Sequence, residues 1–125
     1  MLVRRRAQVS SELLCVQCAP IGDQIVVHAV GEVDLATASL LDQALRTATA
    51  APGVRRVVVN LTKIDFFGAI GLTALLTATR HGDDTGVPVV IVTHPGQPPH
   101  RVITITELHN KLALSDSLDH PRIHQ

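Results

Sequence analysis

Two cysteines three residues apart, Cys15 and Cys18, are the first candidates for chemistry in this chain, because C-x-x-C is the spacing of redox pairs. They lie, however, in the run from Leu13 to Cys18, which is typical of a β-strand. Three residues along a strand span about 10 Å and put the two side chains on opposite faces, whereas a disulfide needs Cα atoms within roughly 7 Å. We therefore expect two small apolar side chains and no redox pair.

The other polar residues form no catalytic or cofactor-binding set. One cysteine pair supplies too few ligands for a structural zinc site, so we expect no metal. The sequence has no G-x-G-x-x-G or Walker loop for phosphates and no G-x-S-x-G nucleophile motif. We therefore expect a protein without cofactor that binds a partner and is not an enzyme.

Charge and hydropathy exclude further classes of function. Eleven basic residues balance eleven acidic ones in the 125 residues, so nothing draws the whole chain to nucleic acid. The run Arg4–Arg6 is short and is interpreted as a solvated arm. No apolar run approaches the roughly 20 residues that span a bilayer. These features predict a cytoplasmic protein that binds neither membrane nor nucleic acid directly.

Short apolar runs and longer runs with helical spacing alternate along the chain. Strands are predicted at 13–18, 25–30, 54–61 and 87–92, and helices at 35–48, 69–81 and 98–108. Asp34 is the expected N-cap of the first helix, Lys63 and Asp65 fall in a predicted loop, and Gly82 is expected to end the second helix. The order β-β-α-β-α-β-α predicts an α/β fold with a mostly parallel sheet.

Two stretches together resemble the STAS domains of anti-sigma-factor antagonists. Residues 31–37, G-E-V-D-L-A-T, are similar to the strand-to-helix signature G-E-[LV]-D-x-x-[TS] of that family. Residues 57–72 are similar to its strand–loop–helix pattern V-x-x-x-D-L-x-x-V-x-F-x-D-S-S-G-L, and residues 102–108 are more weakly similar to the segment before its last short helix. The resemblance covers residues 12–118, and leaves a flexible arm at 1–11 and a tail at 119–125.

The resemblance implies the STAS fold, a small mostly parallel sheet of four to five strands with an N-terminal hairpin, covered by three to four helices. It also implies a function. Antagonists of this family bind an anti-sigma factor with a serine-kinase-like ATPase fold and so release a sigma factor, until the partner phosphorylates the second serine of D-S-S-G. In this chain Gly68 stands at the aspartate, Ala69 at the first serine and Ile70 at the phosphoacceptor, followed by the matching Gly71 and Leu72. Ile70 has no hydroxyl, so the family's switch residue is absent.

By the same resemblance, a set of ten residues is expected to contact the partner: Glu32, Asp34, Thr37, Phe67, Gly68, Ala69, Ile70, Gly71, Leu72 and Thr73. Phe66 is expected to point into the core, whereas Ile70 is equally consistent with burial and with partner contact. Thr37 and Thr73 are the nearest hydroxyls that could replace the lost acceptor. An alternative function is a scaffold or ligand-sensing STAS module, and a homodimer is also possible.

Overall fold

Valine-rich runs form the central strands of a computed structural model that describes residues 7–11 and 13–117. β-Branched side chains favour strands because they are stiff at χ1 and pack well on a pleated surface. The elements in chain order are β1 (Ala7–Ser10), β2 (Leu14–Ile21), β3 (Gln24–Val33), α1 (Ala38–Ala50), β4 (Arg56–Phe67), α2 (Ala69–Thr85), β5 (Val89–Val92), α3 (Pro98–Ile105), a 3₁₀ turn (Leu108–Asn110) and β6 (Ala113–Ser115).

The strands form one sheet, and their order across it is the same as their order along the chain. β1 pairs antiparallel with β2 and β2 with β3, while β3, β4, β5 and β6 pair in parallel. The predicted α/β class, the mostly parallel sheet and the N-terminal hairpin are confirmed. The sheet has six strands among the described residues, where four to five were expected, because two short strands, β1 and β6, extend its edges.

Part of the flexible N-terminal arm predicted over residues 1–11 is a strand in the structure. Residues 7–10 form β1, whose backbone groups pair with β2 from Ala7 opposite Cys18 to Ser10 opposite Cys15. The side chain of Gln17 also donates a hydrogen bond of 3.0 Å to that of Gln8. The rest of the predicted arm, and the predicted tail at 119–125, lie outside the described residues.

The main core lies between one face of the sheet and the three helices. Its centre is a row of neighbouring, fully buried residues on adjacent strands: Val27, Val59 and Ile91. Each parallel crossover moves one strand further in the same direction, and right-handed crossovers then place all three helices on one face. The helical side chains that cover the row with at most 1% of their surface exposed are Leu41 and Leu45 of α1, Leu75 of α2 and Ile103 of α3.

On the opposite face of the sheet, a smaller cluster joins Val26, Val58 and Val92. Beside it a side-chain bridge links β3 to β4. The Asn60 side-chain oxygen accepts hydrogen bonds from the backbone N–H and the hydroxyl of Thr62, at 3.1 and 2.7 Å. The Asn60 amide nitrogen therefore donates to Nδ1 of His28, 3.0 Å away.

Several predicted element boundaries are wrong; α3, for example, ends at Ile105 and not near residue 108. Two further differences concern residues singled out from the sequence. Lys63 and Asp65, expected in a loop, belong to β4, which continues because β3 beside it is also long. Gly82 does not end α2. The helix runs on to Thr85 and ends at Gly86, whose left-handed φ of 78° is the usual glycine C-cap conformation.

The two cysteines are free and lie on β2, the strand predicted for them. Cys15 pairs with Val30 and Cys18 with Val27, on opposite faces of β2. Cys18 packs against the main core, and this burial raises the pKa of its thiol.

Candidate functional site

The turn between β3 and α1 is held by reciprocal hydrogen bonds between Asp34 and Thr37. The Asp34 carboxylate accepts from the N–H groups of Ala36 and Thr37, at 3.0 and 3.1 Å. The Thr37 hydroxyl accepts from the Asp34 N–H at 2.9 Å and donates to the Glu32 carbonyl at 2.8 Å. This pairing gives the D-x-x-T spacing a physical reason: short polar side chains satisfy backbone groups that the turn leaves unpaired.

The predicted role of Asp34 as N-cap of a helix from residue 35 is wrong. Because Asp34 stabilises the turn, α1 begins only at Ala38 and Thr37 occupies the N-cap position. Leu35 and Ala36 are thereby left in the turn, where both are exposed.

β4 changes register twice against β3 before it reaches α2. Each change adds one residue to β4: Val30 lies opposite Lys63, Gly31 opposite Ile64, and Glu32 opposite Phe66. Such bulges change which side chains face the core.

The outcome for the two phenylalanines is the reverse of the prediction. Phe66, expected in the core, is 51% exposed on the face of the sheet away from the helices. Phe67, expected at the partner surface, is 3% exposed and packs in the main core. The two bulges together add two residues to β4, so Phe67 returns to the core-facing side that Val57 and Val59 define. The prediction for the two phenylalanines rested on the family resemblance and not on this alternation.

Two glycines place the first turn of α2 against the ends of β3 and β4. The N–H of Gly68 donates to the Val33 carbonyl at 2.8 Å, which joins the two strand ends. At Gly71, a Cβ atom would lie 2.7 Å from the Phe67 ring and 2.8 Å from a methyl group of Val33. Only a residue without a side chain lets the helix approach this closely.

α1 and α2 both start at the carboxyl ends of parallel strands, and they leave a groove of about 350 Å³ between them. The end of the groove near the strands is apolar, with Leu35 85% and Ile70 38% exposed. Further along, Arg46 and Asp42 form an i, i+4 ion pair of 2.8 Å. The groove is lined by Leu35, Ala38, Ser39, Asp42, Arg46, Ile70, Thr73, Ala74 and Thr77.

The ten residues predicted to contact a partner separate into three groups by burial. Exposed are Ala69, Ile70 and Thr73; half-buried are Glu32, Asp34 and Gly68; buried are Thr37, Phe67, Gly71 and Leu72. The buried four hold the turn and the helix start in place, and their side chains offer no surface to a partner. Glu32 alternates with buried Val33 on β3, so its side chain lies on the face away from the groove.

Of the two hydroxyls considered as substitute acceptors, Thr37 is only 2% exposed and fully engaged in the turn. Thr73 is exposed and its hydroxyl donates to the Ala69 carbonyl at 3.4 Å. The sequence was equally consistent with burial of Ile70 and with its contact to a partner. In the structure the Ile70 side chain lines the groove and reaches solvent.

Leu35 and Ser39 also line the groove, and neither was singled out from the sequence. Leu35 lies three residues before Ala38, in phase with the buried stripe of α1, so its spacing predicts burial. The helix begins after Leu35, and that phase does not apply to it.

The described residues contain no group of three or more His, Cys, Asp or Glu side chains placed to hold a metal ion. Among those same residues, no helix is long and apolar enough to cross a membrane. The features that distinguish the site are thus the groove, its apolar end and the rigid turns around it.

The glycine-dependent helix start and the Asp–Thr turn lie side by side at the ends of two parallel strands, in the segments 31–37 and 57–72 that carry the family resemblance. The chain belongs to the STAS domain family, whose sequence model matches residues 16–120. Among solved structures it is similar to an anti-sigma factor antagonist from Mycobacterium paratuberculosis, with 28% identity and a TM-score of 0.73 over 89% of this chain and 93% of that one.

Two more distant structures share the fold. A putative anti-sigma factor antagonist from Thermotoga maritima is 14% identical, with a TM-score of 0.72 over 82% of this chain and 86% of that one. The anti-sigma factor antagonist SpoIIAA in its unphosphorylated form is also 14% identical, with a TM-score of 0.67 over 82% and 89% of the two chains.

Proposed function

We propose that this protein is an anti-sigma-factor antagonist that binds an anti-sigma factor of the serine-kinase-like ATPase fold and so releases a sigma factor for transcription. The observation that carries the proposal is the exposed apolar end of the α1–α2 groove, formed by Leu35 and Ile70. A surface leucine that is 85% exposed gains nothing in the isolated protein, whereas exposed apolar groups that line a groove are typical of protein interfaces.

The protein acts by binding and not by catalysis, in the cytoplasm and without direct contact to nucleic acid. Its balanced charge supports a protein partner over nucleic acid. The partner covers Ile70 and Leu35, while the Asp34–Thr37 turn keeps Leu35 in its exposed position.

Ile70 decides how the complex responds to ATP. In the first turn of α2 a phosphoryl group of charge near −2 would meet a desolvated apolar surface and separate the two proteins. Ile70 offers no oxygen to accept that group, so the antagonist stays competent to bind while ATP is present. Control of the sigma factor then comes from the abundance of the antagonist or from another input.

The test is calorimetric titration of the protein into candidate anti-sigma factors of this fold, with and without ATP. The unmodified protein should bind equally in both conditions. Ile70→Ser should bind without ATP and lose at least about tenfold in affinity when ATP is present, because phosphorylation then becomes possible. Ile105→Ser changes another exposed isoleucine, on α3, and should show no ATP effect.

Leu35→Asp locates the surface. It should weaken binding about tenfold or more in both conditions, since truncated or charged anchors in an interface carry much of its energy. The proposal is wrong if no candidate binds, or if Leu35→Asp binds as well as the unmodified protein.

The missing hydroxyl at Ile70 also favours a second candidate, a non-phosphorylatable STAS scaffold or ligand-sensing module in a signalling complex. Such a module would fail to bind every anti-sigma factor yet associate with another STAS-containing protein or gain thermal stability with a small ligand. Pull-down with STAS proteins of the same cell and a thermal-shift screen of small ligands distinguish it from the antagonist.

A further inference from the structure

A second apolar surface lies on the face of the sheet opposite the three described helices, at the end where β3 and β4 finish. Its three large side chains are Leu13, Val30 and Phe66, with 44%, 47% and 51% of their surface exposed. All three lie near one end of the sheet, because the start of β2 at Leu14 pairs with Gly31 close to the end of β3.

Two opposite charges lie beside these apolar residues in a regular pattern. Val30 of β3 is opposite Lys63 of β4, and Glu32 of β3 is opposite Phe66 of β4. The four side chains therefore form a square at the exposed end of this face, about 5 Å wide across the strands and about 7 Å long along them. One diagonal of the square is apolar, Val30 to Phe66, and the other is charged, Glu32 to Lys63.

Neither charge is used within one copy of the described chain. The ion pair found among the described residues joins Arg46 and Asp42 on α1, far from this face. Glu32 is half-buried and Lys63 is exposed, so both can reach a surface that packs on the square.

We propose that this square is the contact surface of a homodimer, in which the exposed end of this face in one copy packs against the same end in the other. The two-fold axis runs along the apolar diagonal. It superposes Phe66 on Phe66 and Val30 on Val30 of the second copy, and it exchanges the ends of the charged diagonal. Glu32 of each copy then meets Lys63 of the other, twice per dimer, as an isologous interface requires.

A second copy of this chain fits the surface because the surface is complementary to itself. Asp65, at the second bulge of β4, is exposed beside Phe66 and adds one negative charge that the pairing does not neutralise. The three apolar side chains cover much less than the roughly 800 Å² per partner of a standard interface. The dimer is therefore weak, with a dissociation constant on the order of 100 µM.

The dimer leaves the α1–α2 groove free, since the helices cover the other face of the sheet. The inference is thus independent of the proposed partner, and either can fail without the other.

Sedimentation velocity over a protein series from about 10 µM to 1 mM measures the dimer directly. Glu32→Lys places four positive charges at the interface and Lys63→Glu four negative ones. Each variant alone should dimerise at least about tenfold more weakly than the unmodified chain. A one-to-one mixture of the two variants should form a heterodimer, and the double variant Glu32→Lys/Lys63→Glu should recover the homodimer.

Phe66→Asp should abolish the dimer, because it places two like charges on the axis, whereas Ile105→Asp on α3 should have no effect. Circular dichroism and thermal melts establish that each variant is folded. A monomer at every concentration would overturn the inference. So would single charge variants that dimerise like the unmodified chain, or a mixture that does not associate.

Discussion

Gly71→Ala is the most direct test of how the helix start is positioned. An added Cβ would lie 2.7 Å from the Phe67 ring and 2.8 Å from Val33, where carbon atoms normally approach to about 3.5–4.0 Å. Neither neighbour can yield easily, because Phe67 is 3% exposed and Val33 is fully buried. Overpacking of this kind costs about 1–3 kcal/mol. Alanine in place of glycine inside a helix returns about 1 kcal/mol.

The expected balance is a loss of about 1 kcal/mol in the free energy of unfolding, which urea titration detects as a lower midpoint by roughly 0.5 M. Thr73→Ala on the exposed side of the same helix is the matched control: it improves helix propensity without a new contact, so its midpoint should stay equal or rise. If Gly71→Ala is as stable as the unmodified protein or more so, the close approach of α2 to β3 and β4 is not a packing constraint.

Two further predictions concern other buried groups. Thr37→Val keeps the shape of the side chain but removes its hydroxyl bonds to the turn, and should lower the unfolding free energy by about 1–3 kcal/mol. The control Thr73→Val should change it by less than about 0.5 kcal/mol. Equal losses for the two variants in chemical denaturation would contradict the role of the turn. Burial raises the pKa of the Cys18 thiol, so less thiolate is present at pH 8 in the folded protein. In a Cys15→Ser variant, Cys18 of the folded protein should therefore react with iodoacetamide more slowly than Cys18 of the urea-unfolded chain. Equal rates in the two states would refute that protection.

Local patterns were sufficient for the elements that are buried most uniformly. The run Val57–Val59 and the run Val89–Val92 are too apolar and too short for anything but central strands, and their alternation with helical stretches implies the parallel sheet. The motif at 31–37 correctly located the passage from a strand to a helix, but the helix start was predicted too early, because the hydrogen bonds of Asp34 and Thr37 hold a turn there.

The details that define the two surfaces could not be obtained from periodicity. A strand alternates its side chains with period two, and one inserted residue reverses every assignment that follows. No sequence signal marks the two bulges in β4: the first moves Ile64 into the core, and the second restores the phase at Phe67. Phe66 and Phe67 were assigned wrongly because their roles were carried over from the family resemblance, whereas alternation from Val57 and Val59 places Phe67 in the core. Leu35 was missed because the helical spacing of apolar residues, which predicts its burial, applies only from the start of α1 after the turn.

The agreement between strand order in the sheet and strand order in the chain has a consequence for how the protein is made. Every strand pairs with the one synthesised just before it, as Val27 with Val59 and Val59 with Ile91. No strand must insert between two that are already paired, so the sheet can grow at its edge as the chain emerges from the ribosome. Sheets with mainly sequential pairings close shorter loops and avoid the slow search that long-range pairing imposes. Each new crossover helix then covers the strands that have just formed, and exposed apolar surface is short-lived during synthesis.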